Sequence, residues 1–172
     1  MILLLIGFIG SGKSSTGRMI AKEMDKTFVE MDAEVLLETG MPSVQDVYKV
    51  RLSLWDECEL QVCKKLSNQD DTVIACSGDI VENDLNFQYF KENAPNKFKT
   101  VYLHASPEVL AKRIISSHPD AKMQDEDKII SNIKSFFDKR DTLYKMHADL
   151  TIHTEGKTIN EVSQMIIDYL QA

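Results

Sequence analysis

The chain has 172 residues, of which 43% are hydrophobic and 27% charged, a composition typical of a globular protein with one domain. Its 27 acidic residues outnumber 20 basic ones, and the formal net charge of -7 argues against binding to nucleic acid or to an anionic membrane. The sequence shows no export signal and no apolar run near the ~20 residues that a membrane helix needs. We therefore expect one cytoplasmic, monomeric domain over residues 1–172, with its three cysteines reduced.

The first elements of the chain alternate between strand and helix. Ile2–Ile6 is a continuous apolar run ended by Gly7, which is typical of a strand buried on both faces of a parallel sheet. Small and polar residues then lead into apolar positions at helical spacing, which predicts a helix over residues 14–24. Thr27–Glu30 is short and predicts a second strand.

The next segment is predicted to be helical. Asp32 is a candidate N-cap for a helix that ends at Gly40. Ser43, with a carboxylate three residues later, predicts the start of a second helix whose apolar positions continue to Val62.

Three further strands are predicted over residues 72–76, 99–104 and 150–152, with helical patterns between most of them. This alternation predicts a three-layer α/β fold with a mostly parallel, five-stranded sheet. Ligands of such folds bind at the carboxyl ends of the strands. Residues 116–127 are polar and without periodicity, and we expect them to form a mobile lid.

A phosphate-binding motif lies between the first strand and the first helix. The segment Gly7-Phe-Ile-Gly-Ser-Gly12-Lys13-Ser14 matches G-x-x-x-x-G-K-[ST] in the context that this motif requires. We expect Lys13 to reach the β- and γ-phosphates of ATP and the Ser14 hydroxyl to bind Mg²⁺. The residues predicted to hold the nucleotide from this loop are Gly10, Ser11, Gly12, Lys13, Ser14 and Ser15.

Further segments along nearly the whole chain carry a family likeness. They are Gly17-Arg18, residues 28–34, residues 38–41, Lys139-Arg140-Asp-Thr-Leu-Tyr144 and Ala148-Asp149. Together with the phosphate loop, these segments resemble the shikimate kinase family. The resemblance implies a nucleoside-monophosphate-kinase-like fold with a lid, ATP and Mg²⁺ as cofactors, and transfer of the γ-phosphoryl group to a ring hydroxyl.

The resemblance also implies roles for four charged residues. Asp32 matches the aspartate that hydrogen-bonds the acceptor hydroxyl and takes its proton, and Glu30 stands where the family has an aspartate near the metal. Arg140 matches the arginine that contacts the substrate carboxylate, and Arg113 matches an arginine beside the nucleotide. Helix capping for Asp32 and ordinary solvated surface charge for the other three are the competing interpretations.

The chain departs from the family pattern at three places. The phenylalanine-arginine pair that clamps the acid group of shikimate is replaced by Trp55-Asp56. The glycine triplet after the third strand is replaced by Ser77-Gly78-Asp79, and the arginine-proline pair of the lid by His118-Pro119. By this resemblance, the residues predicted to contact the substrate are Asp32, Asp56, Gly78, Asp79 and Arg140.

Two of these changes place carboxylates, Asp56 and Asp79, where an acidic substrate is bound. Like charges within ~4–6 Å oppose one another, so the pattern favours a neutral or cationic polyol, such as an amino sugar, over shikimate, which stays open as an acceptor. We expect the substrate-binding helices within residues 32–66.

The sequence therefore predicts an ATP-dependent kinase that phosphorylates a hydroxyl group of a small molecule. Two alternatives stay open. Residues 73–77 are also similar to gluconate-kinase-like proteins, which suggests another sugar or sugar-acid kinase. The altered triplet and lid would equally suit a nucleotide-binding regulatory protein that has lost transfer activity.

Overall fold

The computed structural model describes residues 1–50, 53–95, 97–117 and 125–172, and for residues 45 and 48 it describes the backbone alone. The strands are β1 Ile2–Ile6, β2 Thr27–Glu30, β3 Thr72–Ala75, β4 Phe98–His104 and β5 Leu150–His153. The helices are α1 Lys13–Glu23, α2 Met31–Thr39, α3 Val44–Val50, α4 Ser53–Leu66, α5 Asp84–Asn93, α6 Pro107–Ser117, α7 Glu126–His147 and α8 Ile159–Gln171. A short 3-10 helix covers Ile80–Glu82.

The five strands form one sheet in the order β2-β3-β1-β4-β5, and all four neighbouring pairs are parallel. β1 lies in the centre, and its five residues are all fully buried. A strand with helices on both faces must be apolar throughout, which explains the unbroken run Ile2–Ile6. The carboxyl end of β1 therefore delivers the phosphate loop to the middle of the sheet edge.

Alternate side chains of β1 enter two separate cores. Ile2, Leu4 and Ile6 pack into the larger core with residues of α2 and α4–α7. Leu3 and Leu5 pack into the smaller core with residues of α1 and α8. The sheet is thus covered on both faces, and the predicted three-layer α/β fold is confirmed.

Most element boundaries agree with the sequence predictions, but one detail of the helical segment was wrong. Asp32 is not the N-cap of α2, because the helix begins at Met31, with Glu30 at the cap position and Asp32 in the first turn. The segment predicted from Ser43 onward is helical over α3 and α4, and residues 51 and 52 between them lie outside the described residues. The start at Ser43 is correct, since its hydroxyl accepts a hydrogen bond from the Asp46 amide at 3.2 Å.

Most of the predicted lid, residues 118–124, lies outside the described residues, and so do His118 and Pro119. Its flanks are helical, since residues 116 and 117 end α6 and residues 126 and 127 begin α7. Within the described parts of the chain, no helix is both long enough and apolar enough to cross a membrane.

Candidate active site

A cleft of about 810 Å³ opens at the carboxyl ends of the strands, where the topology predicts the ligand site. This volume is within the usual range for small-molecule sites. The phosphate loop forms one end of the cleft, and Asp32, Trp55, Gly78, Asp79 and Arg140 lie along its lining. We call the end formed by the phosphate loop the nucleotide end, and the part lined by those five residues the acceptor end.

The backbone of the phosphate loop requires glycine at particular positions. Gly7 has a φ of 142°, and a Cβ there would lie 2.6 Å from the carbonyl oxygen of Leu103 on β4. Gly12, with a φ of 99°, is the N-cap of α1. The loop therefore turns tightly into the N-terminus of α1, where free amide groups and the helix dipole favour a phosphate group.

Lys13 is held against this loop by its own backbone. Its Nζ donates to the carbonyl oxygens of Gly7 at 2.7 Å and Phe8 at 3.0 Å. Burial lowers the pKa of Lys13, and the nearby carboxylate of Asp32 acts in the opposite direction. The ammonium group therefore lies against the phosphate loop and within electrostatic reach of Asp32.

Two oxygen groups meet beside the first turn of α1. The Ser14 hydroxyl donates to Glu30 Oε1 at 2.8 Å, and Arg18 Nη2 contacts Glu30 Oε2 at 3.2 Å. A hydroxyl and a carboxylate next to a phosphate site suit a hard cation such as Mg²⁺, which binds few protein oxygens and completes its shell with water and phosphate. Among the described residues there is no cluster of three or more metal-ligating side chains, so phosphate oxygens would have to complete the set.

Arg113 on α6 crosses the nucleotide end. Its Nη1 donates to Thr154 Oγ1 and its Nη2 to the Thr154 carbonyl oxygen, both at 2.9 Å. Nη1 also reaches the carbonyl oxygen of Gly10 at 3.4 Å. The guanidinium group thus links the phosphate loop to the segment that follows β5, and both arginine and threonine line the cleft.

The acceptor end begins directly after β3. Asp79 is half-buried; burial raises the pKa of its carboxyl group, Arg140 opposes this rise, and Asp32 and Asp56 add to it. The preceding residue, Gly78, is fixed by the Tyr144 hydroxyl, which donates to its carbonyl oxygen. Asp79 is therefore a cleft carboxyl group whose ionisation is disfavoured by its neighbours.

Arg140 reaches the acceptor end from α7. Its Nε donates to Glu82 Oε1 at 2.6 Å, and its guanidinium carbon lies 4.6 Å from the centre of the Phe136 ring. Phe8 of the phosphate loop stacks on Phe137, with ring centres 4.8 Å apart. These contacts on the same helix fix Arg140 relative to the nucleotide end.

Two carboxylates of α4 lie near the acceptor end. Asp56 is exposed and is not part of the cleft lining, although its charge affects Asp79. Glu59, one turn later, is only 3% exposed, and its Oε2 accepts a hydrogen bond from Asn86 Nδ2 at 2.7 Å. Burial, followed by the charge of Asp79, raises the pKa of Glu59 to about 7.

Comparisons with known proteins agree with this geometry. The shikimate kinase family profile matches residues 9–171. The chain belongs to the shikimate kinase family. A shikimate kinase from Thermodesulfovibrio yellowstonii is 31% identical over 167 residues, which cover 96% of this chain and 92% of the relative.

Solved structures support the same family fold. Shikimate kinase from Aquifex aeolicus is 26% identical with a TM-score of 0.79, and the match covers 99% of this chain and 96% of that one. Shikimate kinase from Acinetobacter baumannii in complex with shikimate has a TM-score of 0.84 at 23% identity, and the match covers 99% of this chain and 92% of that one. This chain is accordingly an ATP-dependent phosphotransferase that acts on a hydroxyl group and uses a divalent metal.

The structure brings most of the predicted site residues together in one cleft. The predicted residues that line it are Gly10, Ser11, Gly12, Lys13, Ser14, Ser15, Glu30, Asp32, Gly78, Asp79, Arg113 and Arg140. Asp56 alone among the predicted contacts lies off the lining. The individual roles of the predicted site residues stay predictions.

Two carboxylates beside the acceptor end, Glu59 and Glu82, were not predicted from the sequence. Glu59 left a signal, since it lies on the same face of α4 as the apolar residues Trp55 and Val62. A carboxylate on an apolar helix face needs a partner or a raised pKa. Glu82 left no comparable signal, because its partner Arg140 is 58 residues away.

Proposed function

We propose that the chain transfers the γ-phosphoryl group of ATP to a ring hydroxyl of shikimate. The observation that carries the proposal is the presence of the phosphate loop, Asp32 and Arg140 in one cleft. Family membership supports shikimate as the first acceptor to test, and so does the A. baumannii relative of the same fold, whose structure contains it.

In the proposed mechanism, the chain acts by positioning and by charge. Loop amides from Gly10 to Ser15 hold the phosphates, and Lys13 leaves its carbonyl partners to contact the β- and γ-phosphates. Asp32 accepts the proton of the attacking hydroxyl, and Arg140 contacts the carboxylate of the acceptor.

We propose Mg²⁺ as the divalent metal, held by Ser14 and Glu30, whose oxygens already contact each other. When bound, this ion neutralises charge that develops on the phosphate oxygens. Arg113, which lines the nucleotide end of the cleft, would contact the nucleotide.

A neutral or cationic polyol, such as an amino sugar, is the second candidate acceptor. The observation that favours it is the charge of the acceptor end, where Asp32 and Asp79 line the cleft and Arg140 is paired with Glu82. An uncompensated carboxylate in the acceptor would meet net negative charge there.

We also propose that residues 1–172 act as one monomeric domain in the cytoplasm, in which residues 32–66 bind the acceptor and residues 116–127 close over it. The single five-stranded sheet of the described residues supports one domain. The placement of α2 at the acceptor end supports acceptor binding by residues 32–66, since Asp32 on this helix lines the cleft.

Turnover tests the proposal directly. The full chain is incubated with ATP, Mg²⁺ and either shikimate, gluconate or an amino sugar, and phosphorylated product is measured by mass spectrometry. We expect shikimate phosphate to form with the native chain but not with Lys13→Met. Product from an amino sugar alone would select the second candidate, and no product from any acceptor would contradict the kinase mechanism.

A further inference from the structure

The guanidinium group of Arg140 is already occupied by a carboxylate of the same chain. Both Nε and Nη2 lie 2.6 Å from Glu82 Oε1. Lys139 Nζ contacts the other oxygen, Glu82 Oε2, at 2.9 Å. Glu82 ends the 3-10 helix after β3, so this ion pair ties the Asp79 segment to α7.

This pair lies at the edge of the acceptor end and is partly shielded from water. The side chains of Arg140 and Glu82 are 21% and 32% exposed. The cleft lining includes Arg140 but not Glu82, so the glutamate approaches the guanidinium group from outside the cleft. The hydrogen bond from Lys139, followed by that from Arg140, lowers the pKa of Glu82 against the opposing effect of burial.

The charges around Arg140 show what Glu82 does to the acceptor end. Asp32 and Asp79 line the cleft with Arg140, and Asp79 responds to the charges of both other residues. Without Glu82, one cation would face two carboxyl groups there. With Glu82 on its Nε edge, the charge of Arg140 is partly offset by a carboxylate that Lys139 shares, so an acidic acceptor meets a weaker positive potential than Arg140 alone would give.

We propose that Glu82 is a specificity-determining residue that weakens the attraction between Arg140 and an acidic acceptor. Because it contacts Arg140 rather than the acceptor, it acts by positioning the guanidinium group and offsetting its charge. The inference rests on the proposed function in one respect, namely that Arg140 faces the acceptor.

A tether that merely holds α7 in place would be a different role, and a conservative pair of variants separates the two. Glu82→Gln keeps a carbonyl oxygen that can accept the Arg140 Nε hydrogen bond, but it removes the charge. Glu82→Asp keeps the charge. Glu108→Gln is the matched control, because Glu108 contacts Lys134 of the same helix α7 at 2.6 Å and does not line the cleft.

The experiment compares shikimate with its neutral methyl ester. Calorimetry measures the affinity of each compound for the native chain and the three variants, in the presence of a non-hydrolysable ATP analogue and Mg²⁺. For Glu82→Gln we expect the ratio of acid to ester affinity to rise by about five- to tenfold, since a neutral partner leaves the guanidinium charge uncompensated. Glu82→Asp and Glu108→Gln should keep the native ratio.

An unchanged ratio in Glu82→Gln would overturn the inference, and so would equal gains for acid and ester. Binding of neither compound to any variant would also count against it. The proposed function is scored separately, by turnover of shikimate in the native chain. Native turnover with an unchanged ratio contradicts the inference alone, whereas a raised ratio without native turnover supports the inference and contradicts shikimate as the acceptor.

Discussion

The two ends of the cleft are built from different kinds of chemical group. The nucleotide end relies on backbone amides, a glycine turn and the start of α1, so its chemistry depends on few side chains. The acceptor end relies on charged side chains from α2, α7 and the segment after β3. A site built from backbone amides depends little on side-chain identity, whereas the charge of a site built from side chains changes sign with one substitution. The difference explains how one family fold can keep its nucleotide and alter its acceptor.

The largest effect should come from the nucleotide end. In Lys13→Met, the side chain keeps most of its length but loses its charge, so we expect kcat to fall by roughly 10²–10³-fold, as when one preorganised donor is removed. Steady-state kinetics with ATP and shikimate measure this. Thermal unfolding serves as the control, because Met replaces an ammonium group whose pKa burial already lowers. A folded variant with native kcat would contradict the role of the loop.

Asp32→Asn tests whether the two ends act separately. Loss of the proton acceptor should reduce kcat by about 10²-fold or more, while the affinity for ATP stays within about twofold. Nucleotide affinity is measured by calorimetry without acceptor. If ATP binding falls as far as kcat, Asp32 serves the metal or the nucleotide, and the division of the cleft into two ends is wrong.

Glu59 gives a pH-dependent test of the acceptor end. Its pKa is raised from an ordinary 4.5 to about 7, so its contribution to stability is present below pH 4.5 and is lost as the pH rises through 7. A shift of this size corresponds to roughly 3 kcal/mol of unfolding free energy. In Glu59→Gln, urea unfolding between pH 4.5 and 8 should therefore show a smaller loss of stability than the native chain.

The matched control for this test is Glu57→Gln, an exposed glutamate of the same helix that accepts a hydrogen bond from Ser53 at 3.1 Å. A surface substitution of this kind changes stability by about 0.5 kcal/mol or less. Equal pH profiles for the native chain and Glu59→Gln would show that the buried carboxyl group titrates normally.

The smallest expected effect compares two carboxylates of the acceptor end. Asp79 lines the cleft and Asp56 does not, so Asp79→Asn should improve shikimate affinity by about fivefold, on the order of 1 kcal/mol, and Asp56→Asn by less. Calorimetry with a bound ATP analogue measures both. A larger gain from Asp56→Asn would indicate that Asp56 contacts the acceptor, as the family resemblance predicted.

How well the sequence predicted each part follows from how local its signals are. The strand at Ile2–Ile6 and the loop to Ser14 are contiguous, so periodicity and a motif sufficed to predict them. The start of α2 was misplaced, because Asp32 is a favoured N-cap residue, whereas the helix begins at Met31 with Glu30 at the cap position. The Arg140–Glu82 pair joins residues 58 positions apart, and a single sequence carries no trace of that contact.

The most direct test of the two-ended cleft is a crystal structure of the full chain with a non-hydrolysable ATP analogue, Mg²⁺ and shikimate. We expect phosphates on the amides of residues 10–15, the metal against Ser14 and Glu30, and the shikimate ring between Asp32 and Arg140. The hydroxyl nearest the terminal phosphate should lie within hydrogen-bonding distance of Asp32, about 2.6–3.2 Å. Shikimate bound away from Asp32, or phosphates bound away from the loop, would contradict the division of the cleft into a nucleotide end and an acceptor end.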